Sequence, residues 1–162
     1  MITGIIGAME EEVAKLKTEM TEVTEIKKAG MSFLKGKLFD KDVVVVRSGI
    51  GKVNAAICTQ ILVDDFKIDR VINTGVAGGL YSELEVGDIV ISSDALYHDF
   101  DVTGFGYKEG VIPRMETSTF TADMELADKA KDICNKVNPD IKCFIGRVVS
   151  GDEFVSTNEK KT

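Results

Sequence analysis

Ile2-Thr3-Gly4-Ile5-Ile6-Gly7-Ala8-Met9-Glu10-Glu11-Glu12-Val13 holds a strand, a turn and a helix start in twelve residues, and the rest of the chain follows the same rhythm. Its first half is an unbroken apolar run, which predicts a strand over 2–7 buried on both faces. From Glu10 the period becomes helical, because Val13, Leu16 and Met20 recur at spacings of three and four with charges between them. The acids at 10–12 fall in the first turn, where the positive end of the helix dipole favours them. No basic region precedes the apolar run and acids follow it at once, so it reads as a strand and not as a signal peptide.

Moving outward, 22–28 and 31–39 predict a hairpin around Ala29-Gly30, and Val43-Val44-Val45-Val46 predicts the next buried strand. That strand ends in Ser48-Gly49-Ile50-Gly51-Lys52 and gives way to a helix through about residue 65. Arg70 to Thr74 is a further strand, running into Gly75-Val76-Ala77-Gly78-Gly79, and 88–92 another after the turn at Gly87-Asp88. The stretch 98–120 has little periodicity, and long irregular segments of this kind are usually functional. A helix over 122–136, a strand over 142–149 and a polar tail complete the pattern. Strands alternating with helices, with one hairpin among them, predict an α/β fold of three layers, αβα, around a central mixed sheet. The 162 residues are long enough for one domain with a real core and too short to argue for two.

The totals narrow the function. An apolar fraction of 44% describes a soluble globular protein and not a disordered one. With 27 acidic and 20 basic residues the net charge is −7, a balance that repels phosphate backbones and argues against nucleic-acid binding. No apolar run approaches the ~18 residues a membrane span needs. Cys58, Cys134 and Cys143 are odd in number and lack a CxxC spacing, as expected of reduced thiols in a cytoplasmic protein.

Three strand ends carry glycine-bearing turns: Gly7-Ala8, Gly49-Ile50-Gly51 and Gly75 to Gly79. In sheets of this class ligands sit beyond the carboxyl ends of strands, where such turns let backbone approach them. Gly49-Ile50-Gly51-Lys52 is not a P-loop, since Val53 follows the lysine, nor a dinucleotide fingerprint, since Asn54 replaces the third glycine. Glu10, Glu11 and Glu12 cannot all face one way, because each step turns a helix by ~100°. One of them can point to the mouth of the sheet as a general base beside Met9 while the others meet solvent; a simple dipole-complementing helix start is the competing reading. His98-Asp99-Phe100-Asp101 lacks a full metal-ligand set, which leaves structural hydrogen bonding as its use. No serine lies in a Gly-x-Ser-x-Gly elbow.

Taken together, Gly4 to Glu12, Ser48 to Val53, Asn73 to Gly79, Val86 to Val90, Tyr97-His98-Asp99 with Asp101-Val102-Thr103, Phe105-Gly106-Tyr107 and Ser150-Gly151-Asp152 resemble the bacterial 5'-methylthioadenosine/S-adenosylhomocysteine nucleosidases of the nucleoside phosphorylase superfamily. The motifs run in the family's order along essentially the whole chain. The resemblance implies hydrolysis of the N-ribosidic bond of those two thio-nucleosides, with release of adenine, by a homodimer that uses no metal and no organic cofactor. By position, Glu12 matches the carboxylate that activates water. Ala8, Ala77 and Gly78 match the wall of the site, and Met9 and Ile50 its contacts to ribose and alkylthio group. Phe154 matches the aromatic that stacks on adenine, and Val155 the residue whose backbone hydrogen-bonds it. Val102, Phe105 and Pro113 match residues that reach into a neighbouring subunit's alkylthio pocket.

Two departures accompany the resemblance. Val76 stands where some members have a serine. The family also continues past the equivalent of Thr162 with a Met-Glu pair for the ribose and an Asp that helps protonate adenine, so the nucleosidase fold is expected to be incomplete at the C-terminus. These 162 residues alone are expected to be nearly inactive, unstable or aggregating. A phosphate-dependent phosphorylase and a non-catalytic nucleoside-binding fragment are the alternatives. Phosphate would need a cationic cradle where the sequence has Glu10, Glu11 and Glu12.

Overall fold

Four consecutive valines leave a strand no polar side to turn toward water, and Val43 to Val46 are at most 4% exposed. They form the middle of a sheet in a computed structural model that describes residues 1–156. The polar tail expected beyond Val155 lies, from residue 157 on, outside the described residues. The chain divides into two compact units, Met1–Ala77 and a second beginning at Gly78.

The first unit comprises β1 (Thr3–Gly7), α1 (Glu10–Glu19), β2 (Thr21–Lys28), β3 (Met31–Leu38), β4 (Lys41–Arg47), α2 (Lys52–Phe66) and β5 (Arg70–Asn73). Its sheet has the order β2-β3-β4-β1-β5. The hairpin β2–β3 turns at Ala29 and Gly30, whose φ values of 49° and 75° fit a two-residue turn that follows the twist of the strands. β3 and β4 are antiparallel, whereas β4–β1 and β1–β5 are parallel, so the sheet is mixed.

Side chains alternate across this sheet, and the two faces bury different clusters. Val44, Val46, Ile6 and Phe33 pack with Cys58, Ile61, Leu62 and Phe66 of α2. Val43, Val45 and Ile5 pack with Val13 of α1 and with Met20. Helix, sheet and helix thus form the three expected layers. Burial pushes the Cys58 thiol up to about 11, so it stays a protonated, apolar core group at neutral pH. Phe33 is fully buried and stacks on Phe66 at 5.2 Å between ring centroids. Phe33→Ala is expected to cost about 3–5 kcal/mol, read as a lower urea midpoint at unchanged slope.

The second unit has β6 (Ile89–Tyr97), a 3₁₀ turn at Thr103–Phe105, β7 (Phe120–Thr121), α3 (Met124–Val137) and β8 (Cys143–Ser150). β6 and β8 run parallel and β7 pairs antiparallel with β6, giving a second mixed sheet, β7-β6-β8, against which α3 packs. Asp123 caps α3 by accepting the Leu126 N–H at 3.0 Å. β6 is longer than the strand expected over 88–92. It continues through Ser92-Ser93-Asp94, with a break in register between Ser92 and Ala95. Arg147 of β8 grips Asp94 with two hydrogen bonds of 2.6 and 3.0 Å, which hold that carboxyl below its usual range and admit a charge to the strand. Among the described residues no helix is long and apolar enough to cross a membrane.

Candidate active site

Parallel strands that lie side by side end at the same edge. Gly7 of β1 pairs with Arg47 of β4, and Ile6 with Asn73 of β5. The turns that follow are tied across the edge: Ser48 N–H donates to Gly7 O and Thr74 N–H to Ile6 O, both at 2.9 Å. The Ser48 side chain is buried, and its hydroxyl donates to Gly49 O at 2.9 Å. The three glycine-bearing turns of the sequence therefore meet at one carboxyl edge of the first unit's sheet.

Glu12 faces that edge. It lies in the first turn of α1 and is half-buried, while Glu10 and Glu11 are exposed. Glu10 instead accepts from Lys17 Nζ at 2.7 Å on the surface. The Glu12 carboxylate is held by backbone from two directions. Met9 N–H donates to Oε2 at 2.9 Å, closing the start of α1, and Val76 N–H donates to Oε1 at 3.0 Å. The helix-start and functional readings of this acid are therefore compatible: one oxygen caps α1, and the other is drawn to the end of β5. A carboxylate has about four lone-pair positions, so two backbone donors fix its orientation and leave room to accept from water.

Val76 serves through its backbone N–H. Gly75 matters for a different reason. A Cβ at that position would lie 2.5 Å from Glu12 Oε1 and 2.9 Å from its carboxyl carbon. The sequence marks Gly75 only as the start of the Gly75 to Gly79 turn, and nothing in it points to the Val76 N–H. With Glu12 read as the water-activating base, Gly75→Ala is expected to push the carboxylate aside and lower turnover roughly 10- to 100-fold, because small misplacements of such a group are that costly. Steady-state kinetics on the variant, beside an unfolding curve to show that the fold survives, make the check.

The other expected residues are placed in each unit as follows. Ala8 and Met9 are half-buried in the β1–α1 turn, and Ile50, between β4 and α2, is 73% exposed. Ala77, also exposed, follows Val76 at the end of the first unit, and exposed Gly78 opens the second. In the second unit Val102 precedes the 3₁₀ turn, and Phe105 within it is 86% exposed. Pro113 is half-buried in the loop before β7. Phe154, 89% exposed, and half-buried Val155 follow β8.

In the His98–Asp101 stretch both carboxylates accept hydrogen bonds. Asp101 accepts from the Thr103 hydroxyl and N–H at 2.7 and 2.8 Å, which holds its carboxyl below the usual range. Asp99 accepts the Asp152 N–H at 2.7 Å. Among the described residues no group of three or more His, Cys, Asp or Glu could hold a metal ion.

Residues 2–162 match the phosphorylase superfamily. A 5'-methylthioadenosine/S-adenosylhomocysteine nucleosidase of Staphylococcus haemolyticus is 49% identical over 158 residues, which cover 98% of this chain and 68% of that protein. The crystal structure of such a nucleosidase from Colwellia psychrerythraea, in complex with adenine, superposes with a TM-score of 0.93 at 45% identity, covering 99% of this chain and 66% of that one. The Neisseria meningitidis nucleosidase in complex with methylthio-immucillin-A gives the same TM-score at 40% identity, covering 99% of this chain and 68% of its own. The chain thus spans about two thirds of the length of these relatives. The carboxylate fixed at the sheet edge sits in a fold and a sequence shared along nearly the whole chain, which belongs to the 5'-methylthioadenosine/S-adenosylhomocysteine nucleosidases of the phosphorylase superfamily.

Proposed function

We propose that this chain supplies the water-activating half of a hydrolase that cleaves the N-ribosidic bond of 5'-methylthioadenosine and S-adenosylhomocysteine. The observation that carries the reading is the Glu12 carboxylate, oriented at a sheet edge by the N–H groups of Met9 and Val76. As adenine departs, positive charge builds on the ribose. Glu12 takes a proton from water as its oxygen bonds to the anomeric carbon, while an acid elsewhere protonates the purine. Two groups thus divide the work, as in inverting glycosidases.

In this reading Ala8, Ala77 and Gly78 wall the substrate, and Met9 and Ile50 touch its ribose and alkylthio group. Phe154 stacks on adenine and the Val155 backbone hydrogen-bonds it. Residues 1–162 act as one nucleosidase domain, working in a cytoplasmic homodimer without metal or organic cofactor. Val102, Phe105 and Pro113 reach the neighbouring subunit's pocket; the exposure of Phe105 supports that role. The three free cysteines suit a reducing compartment.

The nucleophile is tested by assaying methylthioadenosine in phosphate-free buffer. Adenine and methylthioribose are the expected products, at a rate that added phosphate leaves unchanged. A requirement for phosphate, with a ribose 1-phosphate product, would replace hydrolysis by phosphorolysis.

A further inference from the structure

We propose that Asp99 is a positioning residue for adenine recognition, its carboxylate holding the turn after β8 from which Phe154 and Val155 project. The proposal rests on the reading of those two residues as the adenine contacts.

Tyr97 and Ser150 are the last paired residues of β6 and β8. Beyond them the chains stay tied. His98 N–H donates to Ser150 O at 3.0 Å, which extends the ladder by one rung. The next rung has a side chain in place of a carbonyl: Asp99 Oδ2 accepts the Asp152 N–H at 2.7 Å. Between the two rungs lies Gly151, packed directly on the pair. A Cβ there would collide with His98 Nε2 and come within 2.8 Å of Asp99 Cγ. Only a residue without a side chain lets the His98 ring and the Asp99 carboxyl close on this backbone.

Asp152 is two residues before Phe154 and three before Val155. Phe154 is too exposed for local packing to fix its backbone. A charged acceptor just past the end of β6 anchors this backbone, since hydrogen bonds to ionised groups are the strong ones. Asp99 touches neither substrate nor reacting atoms in this account. It determines where the base-contacting backbone begins, so its loss is felt in binding of the purine and not in the attack of water.

The test uses the chain extended to the length of its relatives, with Asp99→Ala, Asp99→Asn, Gly151→Ala and Phe154→Ala compared. Asp99→Ala is expected to raise KM for methylthioadenosine and the inhibition constant of adenine by roughly tenfold, with kcat changed by less than about threefold. Asp99→Asn keeps an acceptor oxygen and restores most of the affinity. Gly151→Ala, which forces the two turns apart, reproduces the Asp99→Ala signature and stands in for it should that variant fail to fold. Hydrogen exchange at the Asp152 amide accelerates in Asp99→Ala and not in Phe154→Ala.

If Phe154→Ala weakens adenine binding while Asp99→Ala and Gly151→Ala do not, the positioning role is overturned and the base-contact reading stands. If Phe154→Ala leaves both constants unchanged, the base-contact reading falls and takes the proposal with it. A fall in kcat at constant KM for Asp99→Ala would also overturn it, since that places the carboxylate in the chemical step.

Discussion

Glu12→Gln, in a chain extended to the length of its relatives, is expected to cut adenine release by about 10²–10⁴-fold, the usual worth of a positioned general base. The substitution keeps shape and length, so the loss isolates the proton-accepting function. It is not structurally silent. The carboxylate accepts two backbone donors, one on each oxygen, and an amide offers only one acceptor. Either the Met9 or the Val76 N–H then faces an NH₂ group, at a cost of about 1 kcal/mol. A small shift in the urea midpoint should accompany the collapse of kcat, with KM nearly unchanged because the ground state needs no base. Full adenine release from a folded Glu12→Gln variant would remove Glu12 from the mechanism.

An effect of similar size is expected from the other end of the reaction. The 162 residues alone should turn methylthioadenosine over about 10²–10⁴-fold more slowly than the chain extended to its relatives' length, the worth of one general acid. In the proposed reading the acid on the adenine side comes from the part of the relatives' length that this chain does not match, whereas Glu12 lies within the matched region. Without a donor, adenine leaves as an anion, and a well-placed nucleophile does not compensate. Single-turnover measurements on both forms at equal concentration give the ratio. Equal rates would mean that the protonating group is already present in residues 1–162.

Local patterns were legible where one period dominates. The apolar run before Gly7, the four valines of β4 and the turn at Ala29-Gly30 each reach the structure as read. The far half of β6 does not, because Ser92, Ser93 and Asp94 resemble a strand's end. What admits them is a register break and Arg147, which lies 53 positions away from Asp94. That two mixed sheets form, one in each unit, is likewise a matter of distant pairings that no local window contains.

The site divides in the same way. Helical geometry says that only one of Glu10, Glu11 and Glu12 can face inward; the family resemblance chose Glu12, and the structure directs its carboxylate to the Val76 N–H. Gly75 was visible only as part of a loop. Its role needs the knowledge that a carboxylate from position 12 lies 2.5 Å from where its side chain would begin. Asp99 was read as a hydrogen-bonding residue, but its partner, 53 positions on, was not nameable from sequence.

The bond from Val76 to Glu12 closes a span of 64 residues. During synthesis, then, the helix bearing Glu12 leaves the ribosome long before the amide that aims it. At the usual pace of 5–20 residues per second, that interval lasts on the order of several seconds. Until β5 docks beside β1, the Met9 amide can hold one carboxylate oxygen while the other still awaits the Val76 amide.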